Sequence, residues 1–246
     1  MTSDHLIAFS SGMYFKDRNI KVLDVTANES IEAHGKPIVS QGGGNIGDLF
    51  YWHEEFRRNL IVSNPNSPIV IMPQSAYFIS PEEARRSKEI YNSHGNLTIF
   101  VRELESYNVA RRIFDKCKIV LCPDIAWYLC EFVEDIIDEM LEEDSCIVRG
   151  NELGYLQDGY QVKSQVYERI GCYHPKFQIS MAVVLEYILK LSRCKNLRTE
   201  RLHAHILACM MGIENCLLPI KYHKNSSSYE TWTRHLKGVY DSRQIS

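Results

Sequence analysis

Short polar motifs follow four apolar runs in the first half of the chain, and their residue types suit the handling of an anion. Gly42-Gly43-Gly44-Asn45-Ile46-Gly47-Asp48 follows Pro37–Gln41, and Pro73-Gln74-Ser75 follows Ile69–Met72. Arg102-Glu103 follows Leu97–Val101, and Pro123-Asp124 follows Lys118–Cys122. Glycines permit a tight turn and close backbone approach, and the amides opening a following helix favour negative charge. The glycine segment is neither a GxGxxG fingerprint nor a P-loop, since no Gly-Lys-Ser/Thr follows. A plain strand-to-helix loop with Asp48 as N-cap accounts for it as well. Arg102-Glu103, taken alone, reads as a surface arginine beside a helix-starting acid. Four such motifs at four strand ends exceed what packing alone requires.

A second cluster is Thr199-Glu200-Arg201-Leu202-His203-Ala204-His205, ahead of the apolar run Ile206–Met211. Thr199 and Glu200 read as a helix entrance, which places Arg201 and His203 in its first turns. A cation gains nothing from the dipole there, so local propensity does not explain Arg201. His203 and His205 diverge on a helix, and no metal site is expected from them. Tyr222, Lys224 and the Ser226–Tyr229 run add polar groups beyond a strand-like segment, Cys216–Ile220.

The elements that position these residues alternate. Strands are expected at Ile20–Val25, Pro37–Gln41, Ile69–Met72, Leu97–Val101 and Lys118–Cys122, with helices over Asp4–Phe15, Leu49–Leu60, Pro81–Asn92 and Glu103–Asp115. In the second helix Leu49, Trp52, Phe56 and Leu60 fall on one face. Ser80 before Pro81 is a good N-cap with proline at the first helical position. This rhythm implies βαβ units and a parallel sheet, whose strand ends open on the edge where such folds bind ligands. Further on lie an amphipathic helix at Glu131–Asp144 with eight acidic residues on its solvated side, a strand at Cys146–Arg149, a helix near Phe177–Arg193 and a helix from Glu200. The division is a first domain over 1–125, a second over 131–222, and a polar tail over 223–246.

Composition narrows the class. The chain has 246 residues, 45% hydrophobic and 24% charged, with net charge −3, which suits a globular protein and no general nucleic-acid binder. No apolar stretch matches a membrane span, and no signal peptide is expected at the start. Eight scattered cysteines without a CxxC pair read as reduced thiols of a cytoplasmic protein.

In order and spacing these motifs resemble the polysaccharide pyruvyl transferase family. The matching pieces are Gly42–Asp48, Pro73-Gln74-Ser75, Arg102-Glu103 with Ser106, Pro123-Asp124, Arg201-Leu202-His203, and Tyr222-x-Lys224 with Trp232. The resemblance implies an α/β fold of two Rossmann-like domains facing a cleft, GT-B-like. It implies transfer of the pyruvyl group of phosphoenolpyruvate, as a ketal, onto a sugar of a polysaccharide or its lipid-linked precursor. Phosphoenolpyruvate is then a donor substrate, a saccharide the acceptor, and no cofactor or metal is needed. Arg201, Leu202 and His203 would meet the donor's anionic groups, and Arg102 would reach the same ligand. Gly43, Gly44, Asn45, Gln74, Ser75, Tyr222 and Lys224 complete the implied substrate-binding set. His203 is the first candidate for the acid, while Asp48 or Glu103 would orient or deprotonate the acceptor hydroxyl.

The family begins with a strand and an Asn-x-Gly-Asp loop, whereas Asp4–Ile7 matches the far end of that loop. A first strand is therefore expected to be missing, leaving an open sheet edge, one filled by upstream sequence, or one filled by a second copy in a homo-oligomer. Glu200 also stands where an Asp usually precedes the Arg, and Pro219-Ile220-Lys221 replaces an acidic-amide approach to Tyr222. Two other readings share these residues: a nucleotide-sugar glycosyltransferase of the same fold, and a non-catalytic sugar- or anion-binding relative.

Overall fold

The computed structural model describes residues 2–22, 32–133 and 175–241. They form two compact units. The large-sheet unit comprises Val22–Ile125 and Pro219–Arg234; the small-sheet unit comprises Met1–Lys21, Ala126–Leu218 and His235–Ser246. The expected strand Cys146–Arg149 and nearly all of the helix Glu131–Asp144 lie outside the described residues.

The large sheet is five-stranded and parallel: β1 (Ile38–Ser40), β2 (Gly43–Ile46), β3 (Ile69–Ala76), β4 (Leu97–Val101) and β5 (Lys118–Leu121). β3 is central. β1 and then β2 pair along one side of it, β4 pairs along the other, and β5 follows β4. Helices α2 (Tyr51–Ser63), α3 (Pro81–Ser93) and α4 (Leu104–Ile113) connect the strands. Ile69, Ile71, Leu97, Ile99 and Val101 are buried with Tyr91 and Phe114, whose rings stack at 4.4 Å. Ser80 caps α3 by accepting from the amide of Glu83, with Pro81 in the first turn as its sequence implied.

Several elements differ from expectation, each for a physical reason. β3 does not stop at Met72 but continues through Pro73-Gln74-Ser75 to Ala76. Its pairing with β4 shifts register between Ile71 and Gln74, so the missing N–H of Pro73 falls at an irregularity of the ladder. The glycine segment is not wholly a loop, because Gly43–Ile46 pairs with β3. Ile20 and Val22 are exposed and not in a strand, and residues 23–25 lie outside the described ones. Among the described residues, β1 and β2 pair with no strand other than β3.

The face that α2 buries is apolar only near its end, through Leu60 and Ile61. Trp52 is 82% exposed and Leu49 40%, while Glu54, Arg57 and Arg58 are buried. Glu54 accepts from Ser87 Oγ at 2.6 Å, from Arg57 at 3.0 Å and from Tyr91 at 3.2 Å, and Arg58 reaches Glu83 at 2.7 Å. Buried charges persist when paired and hydrogen-bonded in this way.

In the small-sheet unit, β6 (Asn196–Thr199), β7 (Glu214–Leu217) and β8 (Val239–Asp241) form a parallel sheet in that order. Helices α1 (Thr2–Asp17), α5 (Pro175–Ser192) and α6 (Leu202–Met210) pack there through Leu6, Phe9, Met13, Val184, Ile188 and Ile206. Helix α1 thus belongs to this unit, although the sequence division grouped it with the first sheet. Thr199 ends β6 and is not a helix entrance; its hydroxyl accepts from the amide of Arg201 at 3.0 Å. Nor is 223–246 a tail: α7 (Lys224–Ser228) and a π-turn at Tyr229–Thr233 belong to the large-sheet unit, and β8 completes the small sheet.

Gly47 tests the turn after β2. Its φ is 110°, and a Cβ there would lie 1.9 Å from the carbonyl oxygen of Tyr77. Gly47→Ala should lower unfolding free energy by roughly 3 kcal/mol or more in urea titration. Gly95→Ala, where a Cβ meets nothing within 4 Å, should change it by less than about 1 kcal/mol.

Candidate functional site

The carboxyl ends of β3, β4 and β5 carry Gln74-Ser75, Arg102-Glu103 and Asp124, and β2, which begins beyond the end of β1, sets Gly43–Asn45 beside Gln74 on the same edge of the large sheet. Buried side chains fix the glycine segment from below. Gln74 donates to the carbonyl of Gln41 at 2.8 Å and accepts from the amide of Asn45 at 3.1 Å. Arg57 donates to Asn45 Oδ1 at 2.7 Å and also to its carbonyl oxygen. Gln74 and Asn45 thus shape the backbone of the site, beside Gly43.

Arg102 is buried and held on two sides. Its Nε donates to Ser75 Oγ at 2.9 Å and its Nη1 to Asp124 at 2.6 Å. The remaining nitrogen, Nη2, points at Gly44: a Cβ on Gly44 would lie 2.6 Å from it, 3.6 Å from Tyr222 Oη and 3.7 Å from Lys224 Cδ. Only a glycine leaves that space, and three hydrogen-bonding side chains converge on it.

Tyr222 and Lys224 arrive from a distant part of the sequence because α4 has no local side-chain cap. Its first amides are satisfied by Thr231 Oγ1, accepting from Leu104 N at 3.1 Å, and Ser227 Oγ, accepting from Glu105 N at 2.9 Å. Trp232 Nε1 donates to the carbonyl of Arg102 at 2.7 Å. This hook sets Tyr222 against Tyr77, ring centroids 5.2 Å apart, and the Lys224 ammonium 5.6 Å from the Tyr222 ring centre.

Electrostatics in the site are unusual. Burial pushes the Glu103 carboxyl up to about 7, although Arg102 and the hydroxyls of Ser106 and Ser75 favour its ionised form. Burial, and then the charge of Arg102, bring Lys224 down to about 8. Burial raises the Tyr222 phenol. Burial also pushes the Cys122 thiol up to about 12, which leaves it no nucleophilic role at neutral pH.

The other expected site residues are placed differently. Both oxygens of Asp48 accept backbone amides, Oδ1 from Ile79 and Oδ2 from Ser80, each at 2.7 Å. It is neither the N-cap of α2 nor directed at the site around Gly44. Arg201, Leu202 and His203 belong to the small-sheet unit, where Arg201 is exposed just ahead of α6 while Leu202 and His203 are buried. His205 is a core residue: its Nδ1 lies 2.5 Å from Asn215 Oδ1, and burial lowers its pKa to about 4. Among the described residues, no cluster of His, Cys, Asp or Glu is placed to hold a metal ion. Sequence reasoning passed over His223, although it lies between Tyr222 and Lys224, and did not count Asp124 as a site residue despite its strand-end position.

The polysaccharide pyruvyl transferase model matches residues 4–222. The chain belongs to the polysaccharide pyruvyl transferase family. EpsO of Bacillus subtilis (strain 168), provisionally named a pyruvyl transferase, is 30% identical over 234 residues, 85% of this chain and 72% of EpsO. Pyruvyl transferase 1 of Schizosaccharomyces pombe (strain 972 / ATCC 24843) is 23% identical over 273 residues, covering 93% of this chain and 67% of that protein. The crystal structure of an uncharacterised protein from Klebsiella pneumoniae subsp. pneumoniae NTUH-K2044 superposes with TM-score 0.70 at 17% identity, over 98% of this chain and 88% of that one, and so shares the fold. No described helix is long and apolar enough to cross a membrane.

A carboxyl that titrates at about 7 in the fold and near 4.5 when unfolded destabilises the folded state once ionised, by roughly 3 kcal/mol. Its folded pKa is raised, so the stabilising contribution is full below about 4.5 and is lost as pH rises through about 7. Glu103→Gln should remove this dependence. Thermal melts should show the variant gaining on wild type between pH 5 and pH 8; a constant difference across that range would contradict the assignment.

Proposed function

We propose that this family member transfers the pyruvyl group of phosphoenolpyruvate, as a ketal, onto a saccharide of a polysaccharide or its lipid-linked precursor. The observation that supports this most is the convergence of Arg102 Nη2, Tyr222 Oη and Lys224 on Gly44. The donor carries a phosphate and a carboxylate, and two cations with a hydroxyl donor match that charge; each charge-assisted contact contributes roughly 1.5–3 kcal/mol. Ketal formation needs a proton delivered to the donor's terminal carbon and protons removed from acceptor hydroxyls, and Glu103 titrates near neutrality beside the same groups. Ser75 positions Arg102 rather than meeting the donor itself. Arg201, Leu202 and His203 stay in the proposal as further contacts to the donor's anionic groups, on the family resemblance alone. The GT-B-like organisation, a cytoplasmic location and the absence of a cofactor belong to the same proposal.

Incubation with phosphoenolpyruvate and a panel of p-nitrophenyl hexosides should release inorganic phosphate and give a product heavier by one pyruvyl ketal. A product formed from a nucleotide sugar, with phosphoenolpyruvate inert, would contradict the assignment. Lys224→Ala should weaken donor binding about ten- to a hundredfold. Wild-type donor affinity should also fall as pH rises from 7 to 9, because Lys224 loses its proton through about 8 while Glu103 becomes anionic through about 7. Lys224→Arg should retain more of its affinity at pH 9, since a guanidinium stays charged.

A further inference from the structure

Glu103 has no exposed surface, so a proton reaches or leaves it only through its hydrogen-bonded neighbours. Two hydroxyls touch it. Ser75 Oγ donates to Oε2 at 3.0 Å and accepts from Arg102 Nε at 2.9 Å. That branch ends at a guanidinium, which does not release a proton in this range. Ser106 Oγ donates to Oε1, accepts from the amide of Ala76 at 2.8 Å, and lies 3.2 Å from His223 Nε2. The same nitrogen is 3.8 Å from Glu103 Oε1, and the His223 side chain is 19% exposed. That branch therefore ends at a partly exposed imidazole, held edge-on by Tyr77 and by Tyr222, whose hydroxyl reaches toward Gly44, each 5.8 Å away between ring centroids.

The serine hydroxyl permits both proton states. With Glu103 ionised, Ser106 donates to the carboxylate and accepts from His223 Nε2–H. With Glu103 protonated, the acid donates to Ser106, which donates to the bare Nε2. When the Nε2 proton passes to Ser106 Oγ and the serine's own proton passes to Glu103, the first state becomes the second with every partner kept.

We propose that Glu103, Ser106 and His223 form a proton relay in which His223 is the catalytic acid–base of pyruvyl transfer and Glu103 its buried proton store, an inference that rests on the donor reading above. In the first half, protonated His223 gives a proton to the terminal CH2 carbon of phosphoenolpyruvate. The π pair forms the new C–H bond and leaves an oxocarbenium centre at the adjacent carbon. An acceptor hydroxyl oxygen bonds to that carbon, and its proton returns to the relay. In the second half, the carbon–oxygen bond to phosphate breaks and its electron pair leaves with the phosphate. A second acceptor hydroxyl bonds to the carbon, and its proton balances the departing phosphate. Two hydroxyl hydrogens end on the methyl group and on phosphate, and nothing is oxidised or reduced.

The surrounding charges favour such an exchange. Arg102 and Asp124 face Glu103 from the ends of β4 and β5, Tyr222 and Lys224 from the 219–234 segment, and Glu105 faces His223 from α4. Burial raises Glu103 to about 7 and lowers His223 from its usual 6.5 against the opposing pull of Glu105, so the carboxyl holds the shared proton more readily than the ring.

Two readouts test the relay. Imidazole 15N resonances of the full chain are titrated in wild type, Ser106→Ala and Glu103→Gln, with His223 assigned by its loss in His223→Gln. The His223 ring should show a second inflection near 7 from Glu103, absent in Glu103→Gln and weakened in Ser106→Ala; one unchanged titration in all three would overturn the relay. In the phosphate-release assay with p-nitrophenyl hexosides, His223→Gln should lower kcat about a hundredfold or more with KM for phosphoenolpyruvate within about threefold. Unchanged kcat, or a rise in KM matching the loss of kcat, would overturn the catalytic role. Wild type releasing no phosphate with any hexoside would instead defeat the donor reading, and the ring titration would still decide the relay.

Discussion

The uncapped start of α4 is the constraint on which the site depends. A helix opens with amides that have no partner inside the helix, and Glu103 at the N-cap position turns its carboxylate inward to Ser75 and Ser106 instead of capping them. Ser227 and Thr231, 122 and 127 residues downstream, satisfy those amides instead, and Trp232 binds the carbonyl of Arg102. The same hook carries Tyr222, His223 and Lys224 to the strand ends. One requirement of backbone hydrogen bonding therefore brings the late part of the chain onto the early sheet.

Charge sets the proton affinities of the groups gathered there. Arg102 is compensated by Asp124 at 2.6 Å, while Glu103 lies 3.7 Å from it. With Arg102 already compensated, burial dominates at Glu103 and holds its proton toward neutrality, while Lys224 is depressed by the same burial and by the neighbouring guanidinium. An anionic ligand would favour the protonated forms of both groups, so anion binding and proton loading would reinforce one another. Beneath them, the buried Glu54–Arg57 pair and Gln74 hold the glycine segment against β3.

Much of the large sheet was legible because β3 is buried on both faces and β4 fully on one, so that they read as apolar runs such as Ile69–Met72 and Leu97–Val101. Elements stabilised by polar burial were not legible in that way. Periodicity turned Trp52 of α2 inward, yet its buried face carries Glu54, Arg57 and Arg58, whose partners Ser87, Glu83 and Tyr91 lie on α3. β6, Asn196–Thr199, has no apolar run, and α7 reads Lys-Asn-Ser-Ser-Ser, with no core pattern at all. Arg102, Glu103, Tyr222 and Lys224 were found from strand-end position and family resemblance. His223 was missed because its partners, Ser106 and Glu103, are more than a hundred residues away in sequence.

The central claim is that the space above Gly44 receives the donor's anionic group. Isothermal titration of phosphoenolpyruvate into wild type and Gly44→Ala measures this directly, since a methyl group there would lie 2.6 Å from Arg102 Nη2 without changing any charge. Binding by wild type that weakens at least about tenfold in a Gly44→Ala protein of unchanged circular dichroism is the expected result. Equal affinity in the two proteins would contradict it.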